Sequence, residues 1–176
     1  MFIWGGQNAS GLLNDGALYD PVADQWSTVT VANPLAARVN ATAVWAGDRV
    51  IIWGGTGTNG ALDDGGELLF SGGTPSQWIA TSLTGVPISR TGHSAVWTGQ
   101  QMIIWGGNSG GPVGDGALFN PLSNTWQPIS TNNAPLARFN HAAIWSGTEM
   151  LILCGSTGSG EVASGSAYNP TTGRWR

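Results

Sequence analysis

The sequence predicts an all-β fold built from one unit that recurs about every 50 residues. Glycine, which disfavours helix interiors, provides 28 of the 176 residues. Short apolar and β-branched runs alternate with glycine-rich stretches, which is typical of strands joined by tight turns. The 10 tryptophans fall into three columns: Trp4, Trp53 and Trp105, each before Gly-Gly; Trp26, Trp78, Trp126 and Trp175; and Trp45, Trp97 and Trp145. Such recurring landmarks indicate one supersecondary unit used several times.

The third copy of the unit shows its four predicted strands most clearly. Strand 1 is predicted over 90–97, and a tight turn follows over 98–101. Strand 2, at Met102–Trp105, is apolar on both faces, so both of its sides should be covered. Strand 3 is predicted at 117–119. Strand 4 is predicted at 126–129, where its proline suits the edge of a sheet.

The other copies repeat this order with variations. Strand 2 recurs at 50–53 and 150–153, and strand 3 recurs at 17–19 and 167–168. The second copy departs most, because a longer turn is predicted at 71–75. Four antiparallel strands per unit, with both sheet faces apolar, predict a β-propeller blade packed between its neighbours. A β-sandwich would instead leave polar outer faces on its strands.

The apolar run before Gly-Gly recurs with an aromatic residue in strand 3 and a tryptophan seven residues after it: Tyr19 and Trp26, Phe119 and Trp126, Tyr168 and Trp175. In these residues the chain resembles the kelch-repeat β-propeller family, which includes bacterial kelch proteins and the central domain of galactose oxidases. One departure is Cys154-Gly155, where the first glycine of the pair is replaced. The second glycine persists in every copy, which predicts a positive φ or a close backbone approach there.

We expect a partial propeller of about three and a half four-stranded kelch-type blades, whereas the resemblance implies about six or seven in a closed ring. Met1 aligns with Met102 and Met150 inside strand 2, which indicates an internal methionine and a piece of a larger propeller. Alternatively, two copies associate through open blade edges to complete a ring. The single domain 1–176 divides into blade 1 at 1–37 without strand 1, blade 2 at 38–89, blade 3 at 90–137, and blade 4 at 138–176, truncated in strand 4.

Composition argues against several classes of partner. Charged residues make up 9% of the chain, lysine is absent and the net charge is −4, which disfavours nucleic acid and anionic membrane surfaces. No apolar run approaches the ~18 residues of a membrane-spanning helix, so we expect no membrane insertion. Cys154 is the single cysteine and is expected to be a small buried hydrophobe. The absence of lysine and the high content of Gly, Ser, Thr and Asn favour an exported bacterial protein, extracellular or periplasmic.

An up-and-down blade brings the starts of strands 1 and 3 and the ends of strands 2 and 4 to one rim. This places Arg38, Arg90 and Arg138 together near the central channel, one per blade. The resemblance to kelch domains implies that these arginines grip acidic or carbonyl groups of a partner. Alternatively, they pair with Asp64 and Asp115 inside the protein, in which case Arg138 is the one free for a ligand, because a serine replaces the aspartate of its blade.

The same rim carries further candidate binding residues and four variable loops, at 7–14, 56–63, 108–114 and 156–163. We expect a protein or carbohydrate ligand there, with no cofactor and no metal. The two histidines share one repeat column, which allows either an acid–base or metal role or a structural hydrogen bond. The Asp-Gly pairs indicate turns more than a cation site, and the tryptophan columns indicate core more than a sugar-stacking surface. The predicted binding residues are Arg38, Arg90, Arg138, Asn40, Asn140, His93 and His141.

An enzymatic role is the alternative to a binding scaffold. Copper radical oxidases share this type of fold and use two Tyr, two His and a Cys–Tyr crosslink. Here Tyr19 and Tyr168 are the aromatic residues of strand 3, and both histidines are repeat positions in strand 1. We therefore predict no catalytic residue in this chain. The alternative reading is a part of a propeller enzyme acting on carbohydrates, of the oxidase or epimerase class, whose catalytic residues lie elsewhere.

Overall fold

The computed structural model describes all 176 residues and consists of β-strands joined by turns and loops. The first part of the chain forms β1 (Phe2–Trp4), β2 (Gln7–Asn8), β3 (Gly11–Leu12), β4 (Gly16–Asp20) and β5 (Gln25–Thr28). The first sheet is antiparallel, with the strand order β1-β4-β5, and β2 and β3 form a small two-stranded ribbon in the connection from β1 to β4. Helices long and apolar enough to cross a membrane are absent.

The second sheet has four strands in the order β6-β7-β10-β11, and a second small ribbon joins its middle strands. All of its central strand β7 except Arg49 is buried, because both faces of the strand are apolar. The strands are β6 (Thr42–Trp45), β7 (Arg49–Trp53), β8 (Thr56–Gly57), β9 (Gly60–Ala61), β10 (Gly65–Ser71) and β11 (Thr74–Ala80).

The third and fourth sheets repeat the four-stranded meander without an assigned ribbon. The strands of the third are β12 (Ser94–Trp97), β13 (Met102–Trp105), β14 (Gly116–Asn120) and β15 (Thr125–Pro128). Those of the fourth are β16 (Ala142–Trp145), β17 (Met150–Leu153), β18 (Gly165–Asn169) and β19 (Arg174–Trp175). Pro128 lies in the edge strand β15, as predicted, where no ladder donor is lost.

Neighbouring sheets pack face to face, and their first strands lie next to one another. Thus β12, the first strand of the third sheet, lies between β6 and β16. One apolar cluster fills the space between the second and third sheets and includes Trp53, Phe119 and Trp126. Another fills the space between the third and fourth sheets and includes Trp105 and Trp175. This arrangement confirms the predicted all-β partial propeller.

The first two tryptophan columns hold neighbouring sheets together. The ring centroids of Trp53 and Trp126 are 5.5 Å apart, and those of Trp105 and Trp175 are also 5.5 Å apart. The indole N–H of Trp126 also donates to the Ser82 carbonyl oxygen of the second repeat, at 2.9 Å. Tilted aromatic pairs contribute about 0.5–1.5 kcal/mol beyond the area they bury. The tryptophans of these columns that lie between the second and third sheets, or between the third and fourth, are therefore core residues.

Two predicted element boundaries are wrong. Regular pairing of strand 1 in the third repeat begins at Ser94 instead of Arg90, because Gly92 has a φ of 64° that breaks the extended strand. The turn of the second repeat is short where a longer one was expected. Gly72 and Gly73, with φ of 57° and 82°, make a tight two-residue turn, so β10 and β11 extend further.

Two burial predictions also need correction. The third tryptophan column is not core throughout, because Trp45 is 53% exposed and Trp97 and Trp145 are half-buried. These three end β6, β12 and β16 at the rim opposite the arginines, where each lines a cleft between neighbouring sheets. Cys154 is exposed rather than buried. It follows β17 on a face of the fourth sheet that no further sheet covers.

Candidate functional site

The three repeat-equivalent arginines lie together at the predicted rim, but their guanidinium groups are buried. Arg38, Arg90 and Arg138 are 1%, 0% and 1% exposed. Arg90 shows the shared geometry. Its Nε donates to the Ile88 carbonyl oxygen at 3.0 Å, and its Nη1 donates to the carbonyl oxygens of Gly106 and Asp115 at 3.1 and 3.2 Å. Each arginine thus ties the start of strand 1 to the end of strand 2 and the start of strand 3.

The aspartates expected as alternative partners do pair with the arginines. Arg38 Nη1 lies 2.9 Å from Asp64 Oδ1, and Arg90 Nη1 lies 2.8 Å from Asp115 Oδ1. The expectation that Arg138 is free is wrong. Its Nη2 donates to Ser164 Oγ at 3.1 Å, so the serine that replaces aspartate supplies a hydrogen bond. The Nη2 atoms of Arg38 and Arg90 have no such partner.

The main chain of each arginine connects neighbouring sheets. The N–H of Gly55, the second glycine of its pair, donates to the Arg90 carbonyl oxygen of the next repeat at 3.0 Å, and Gly107 donates to Arg138 at 2.8 Å. A Cβ atom at Gly55 would come within 2.5 Å of the Val39 carbonyl oxygen, and its φ is 89°. The second glycine has a positive φ in all four repeats, as predicted, and in every repeat except the first, at Gly6, an added Cβ would also collide with neighbouring atoms.

The asparagines of the rim occupy a special backbone position. Asn40 and Asn140 have φ of 55° and 53°, and the equivalent Gly92 has 64°. Asparagine tolerates the left-handed region better than other residues with a side chain, which explains the Asn-Gly-Asn column. Both asparagine side chains remain exposed at the rim. Of the predicted binding residues, these two present surface to solvent.

The two histidines link one repeat to the next. His93 Nε2 shares a 2.8 Å hydrogen bond with Thr42 Oγ1, and His141 Nε2 shares a 2.7 Å bond with Ser94 Oγ. Each hydroxyl belongs to the preceding repeat, so the structural hydrogen bond that was one of the two readings is present. The sequence contained a signal for this bond. Thr42 and Ser94 occupy the same position in their repeats, and the next repeat has a histidine in each case.

Both histidines are held neutral by their surroundings. Burial, followed by the charge of Arg90, lowers the pKa of His93 to about 3. Burial and the charge of Arg138 lower the pKa of His141 to about 4. Each ring also meets the tryptophan of the preceding repeat edge-on, with centroids 5.1 Å apart. The structure brings together no group of three or more His, Cys, Asp or Glu side chains that could hold a metal ion.

Four loops project over the buried arginines and form the outer surface of this rim. Each closes with a main-chain hydrogen bond to the glycine at the second position of the Gly-Gly pair, which in the fourth repeat follows a cysteine; Leu62 N–H, for example, donates to the Gly55 carbonyl oxygen at 2.9 Å. The bases of three loops also bridge to the start of strand 1, through residues such as Val39 and Thr56. We call this surface the loop rim, and it comprises residues 7–14, 56–63, 108–114 and 156–163.

Comparison with known proteins agrees with the repeat and its geometry. The family model described as the KLHDC2/KLHL20/DRC7 Kelch-repeats domain matches residues 1–155. A leucine-zipper-like transcriptional regulator 1 homolog from Drosophila melanogaster is 29% identical over 116 residues. That match covers 62% of this chain and 12% of the relative, so this chain corresponds to a small part of that protein. Because the family model matches most of the chain, and the blades and glycine pairs agree with it, the chain belongs to the kelch-repeat family.

Proposed function

We propose that this chain is a protein-binding scaffold that holds its partner with the loop rim. The observation that carries the proposal is the anchoring of four loops with exposed tips on a rigid base. The main-chain bonds from Leu13, Leu62, Val113 and Val162 to the second-position glycine of each repeat are all 2.9 Å long. Loops fixed in this way lose little conformational freedom on binding. Kelch-repeat domains commonly bind proteins, which favours a protein over a glycan at this rim.

In this proposal the arginines position the rim and do not touch the partner. Their donors face main-chain carbonyl oxygens inside each sheet, and their side chains are at most 1% exposed. Direct contacts are assigned instead to the loop tips and to Asn40 and Asn140, which are exposed. The two histidines, buried and neutral, keep adjacent repeats in register below this surface.

The exposed charges of the loop rim define the partner's chemistry. They are carboxylates, because the three arginines here are buried and the other three lie towards the opposite rim. Asp64 and Asp115 keep 40% and 48% of their side chains exposed beside their arginines. A partner segment with basic or neutral polar groups complements this surface better than an acidic one. The carboxylates on or next to the loops are Asp15, Asp63, Asp64, Asp115 and Glu161.

The test compares two double variants that each add two arginines at exposed positions. Asn59→Arg with Ser159→Arg alters two loop tips, and Val22→Arg with Leu122→Arg alters the opposite rim, where these side chains are 95% and 87% exposed. The immobilised proteins capture partners from extracts of the source organism, read out by quantitative mass spectrometry. We expect the loop variant to lower partner recovery by about tenfold or more and the control to retain it. Equal recovery by both variants would remove the loop rim from consideration.

A further inference from the structure

The rim opposite the loops contains clefts between neighbouring sheets, and their linings differ. The cleft between the first and second sheets, about 550 Å³, is apolar and includes Phe2, Trp45 and Phe70. The cleft between the second and third, about 490 Å³, contains the charged Asp48 and Arg49. The cleft between the third and fourth sheets is the largest of the three, at about 710 Å³, and has no charged residue in its lining. We call this last one the Trp145 cleft.

Neutral polar groups dominate the Trp145 cleft. The Gln100 and Gln101 amides come from the third sheet, and the Thr148, Thr171 and Thr172 hydroxyls come from the fourth. Amides and hydroxyls each offer both hydrogen-bond donors and acceptors. Sugar hydroxyls have the same double character, whereas an ionic ligand would require a charge that this lining lacks. The cleft volume also lies in the range of small-ligand sites, about 300–1,000 Å³.

Trp145 supplies the apolar surface of the cleft. It packs against the core between the third and fourth sheets and is half-buried, so part of the indole stays open to the cleft. An aromatic ring beside neutral hydrogen-bonding groups fits a ligand that has both an apolar face and hydroxyl groups. Pyranose rings have this combination, because their C–H groups can cluster on one face while hydroxyls project from the edge.

The turns that carry the polar groups are fixed before any ligand arrives. Asn169 Oδ1 accepts from the N–H of Thr171 and of Thr172, at 3.0 and 3.1 Å. Thr98 Oγ1 accepts from the N–H of Gln101 at 3.0 Å. These bonds use the side chains of Asn169 and Thr98, while the side chains of Gln100 and Thr172 extend from the fixed turns into exposed positions. Binding would cost little ordering of the main chain.

We propose that the Trp145 cleft binds a neutral oligosaccharide, with a sugar ring on Trp145 and its hydroxyls hydrogen-bonded to Gln100, Gln101 and Thr172. This site is separate from the loop rim and does not depend on the proposed protein-binding function.

Nuclear magnetic resonance titration of the full chain tests the proposal. The probes are cellohexaose, xylohexaose, mannohexaose and chitohexaose, with a heparin hexasaccharide as the charged comparison. We expect at least one neutral sugar to give saturable shifts of amides in 98–101, 145–148 and 169–172, with the loop rim unaffected. Gln101→Ala with Thr172→Ala should weaken that binding by about tenfold, and Thr58→Ala with Asn59→Ala on the loop rim should leave it unchanged.

Trp145 variants then separate stacking from bulk. Trp145→Phe keeps an aromatic face and should bind within a fewfold of the unaltered chain, whereas Trp145→Ala should abolish detectable binding. Thermal melts identify a variant that fails to fold, and in that event the Gln101 and Thr172 double variant decides. The proposal is overturned if none of the four neutral sugars shifts the cleft at millimolar concentration, if the heparin hexasaccharide alone binds, or if the double variant binds as well as the unaltered chain.

Discussion

At the scale of single residues, the buried arginines show how a charge can serve assembly. An isolated buried cation costs several kcal/mol of free energy, so it needs close acceptors. Arg138 meets that need with the carbonyl oxygens of Leu136, Cys154 and Ser164, at 3.0, 3.0 and 2.9 Å. Main-chain carbonyls are present whatever the sequence, so the arginine can recur even where its aspartate is replaced. The same logic makes the arginine a positioning residue for the loops above it.

The histidines give a residue-scale prediction about pH. Their folded-state pKa values, about 3 for His93 and about 4 for His141, lie below the ordinary value of 6.5. As the pH falls below 6.5, the unfolded chain therefore binds protons that the folded chain does not. Folding stability present at neutral pH is lost progressively down to about pH 4 for His141 and about pH 3 for His93, by up to about 1.4 kcal/mol per pH unit for each histidine.

Titration of the imidazole signals by nuclear magnetic resonance checks this directly, because the chain has two histidines and both are expected to behave alike. Between about pH 7.5 and 5 the folded protein should show neutral rings at both positions, and the urea-unfolded protein should titrate near the ordinary value of about 6.5. A folded-state midpoint near 6 for either ring would show that its burial and its link to Thr42 or Ser94 do not control its charge.

At the scale of the structural element, two glycines separate backbone strain from close packing. Gly47 and Gly55 have nearly the same φ, 87° and 89°. An added Cβ meets no atom within 4 Å at Gly47, but at Gly55 it would come within 2.5 Å of the Val39 carbonyl oxygen and 2.7 Å of the Ala41 nitrogen. Gly47→Ala should cost about 1–2 kcal/mol of folding free energy from conformation alone. Gly55→Ala should cost at least about 2 kcal/mol more.

Urea unfolding of the two variants measures the difference. Similar losses in both would mean that the main-chain contact between the end of β7 and the start of strand 1 is loose enough to yield. A much larger loss at Gly55 would show that the second glycine of the repeat is required by contact as well as by its φ.

The strand order could be predicted from the sequence, whereas the burial and the hydrogen-bond partners of the rim residues could not. Period, apolar runs and turn glycines are local, so β13 and the Gln100 turn were predictable from neighbouring residues alone. The burial of the Arg38 guanidinium depends on three carbonyl oxygens that folding brings together, and the residue types alone do not predict that they meet. The partial exposure of Trp97 and Trp145 likewise depends on the clefts that neighbouring sheets leave at one rim, which no single repeat encodes.

At the scale of the whole molecule, burial is uneven across the sheets. Every residue of β13 is buried, because the second and fourth sheets cover both faces of the third. The first sheet has no fully buried strand residue. Equivalent tryptophans differ in the same way: Trp26 of the first sheet is 50% exposed, whereas Trp126 of the third sheet is 8% exposed. Local stability follows buried apolar contact, so the first sheet should open at lower free energy than the third.

Hydrogen exchange followed by mass spectrometry tests this gradient. Peptides covering β1, β4 and β5 should exchange first, and those covering β13 should exchange last. Trp126→Ala removes a side chain that lies between two sheets, so it should destabilise the protein by about 3–5 kcal/mol and speed exchange in both the second and third sheets. Trp26→Ala, the same change at the exposed equivalent, should cost less than about 1 kcal/mol and affect the first sheet alone. Uniform protection across the four sheets, or equal effects of the two variants, would mean that the sheets open as one cooperative unit despite their different cover.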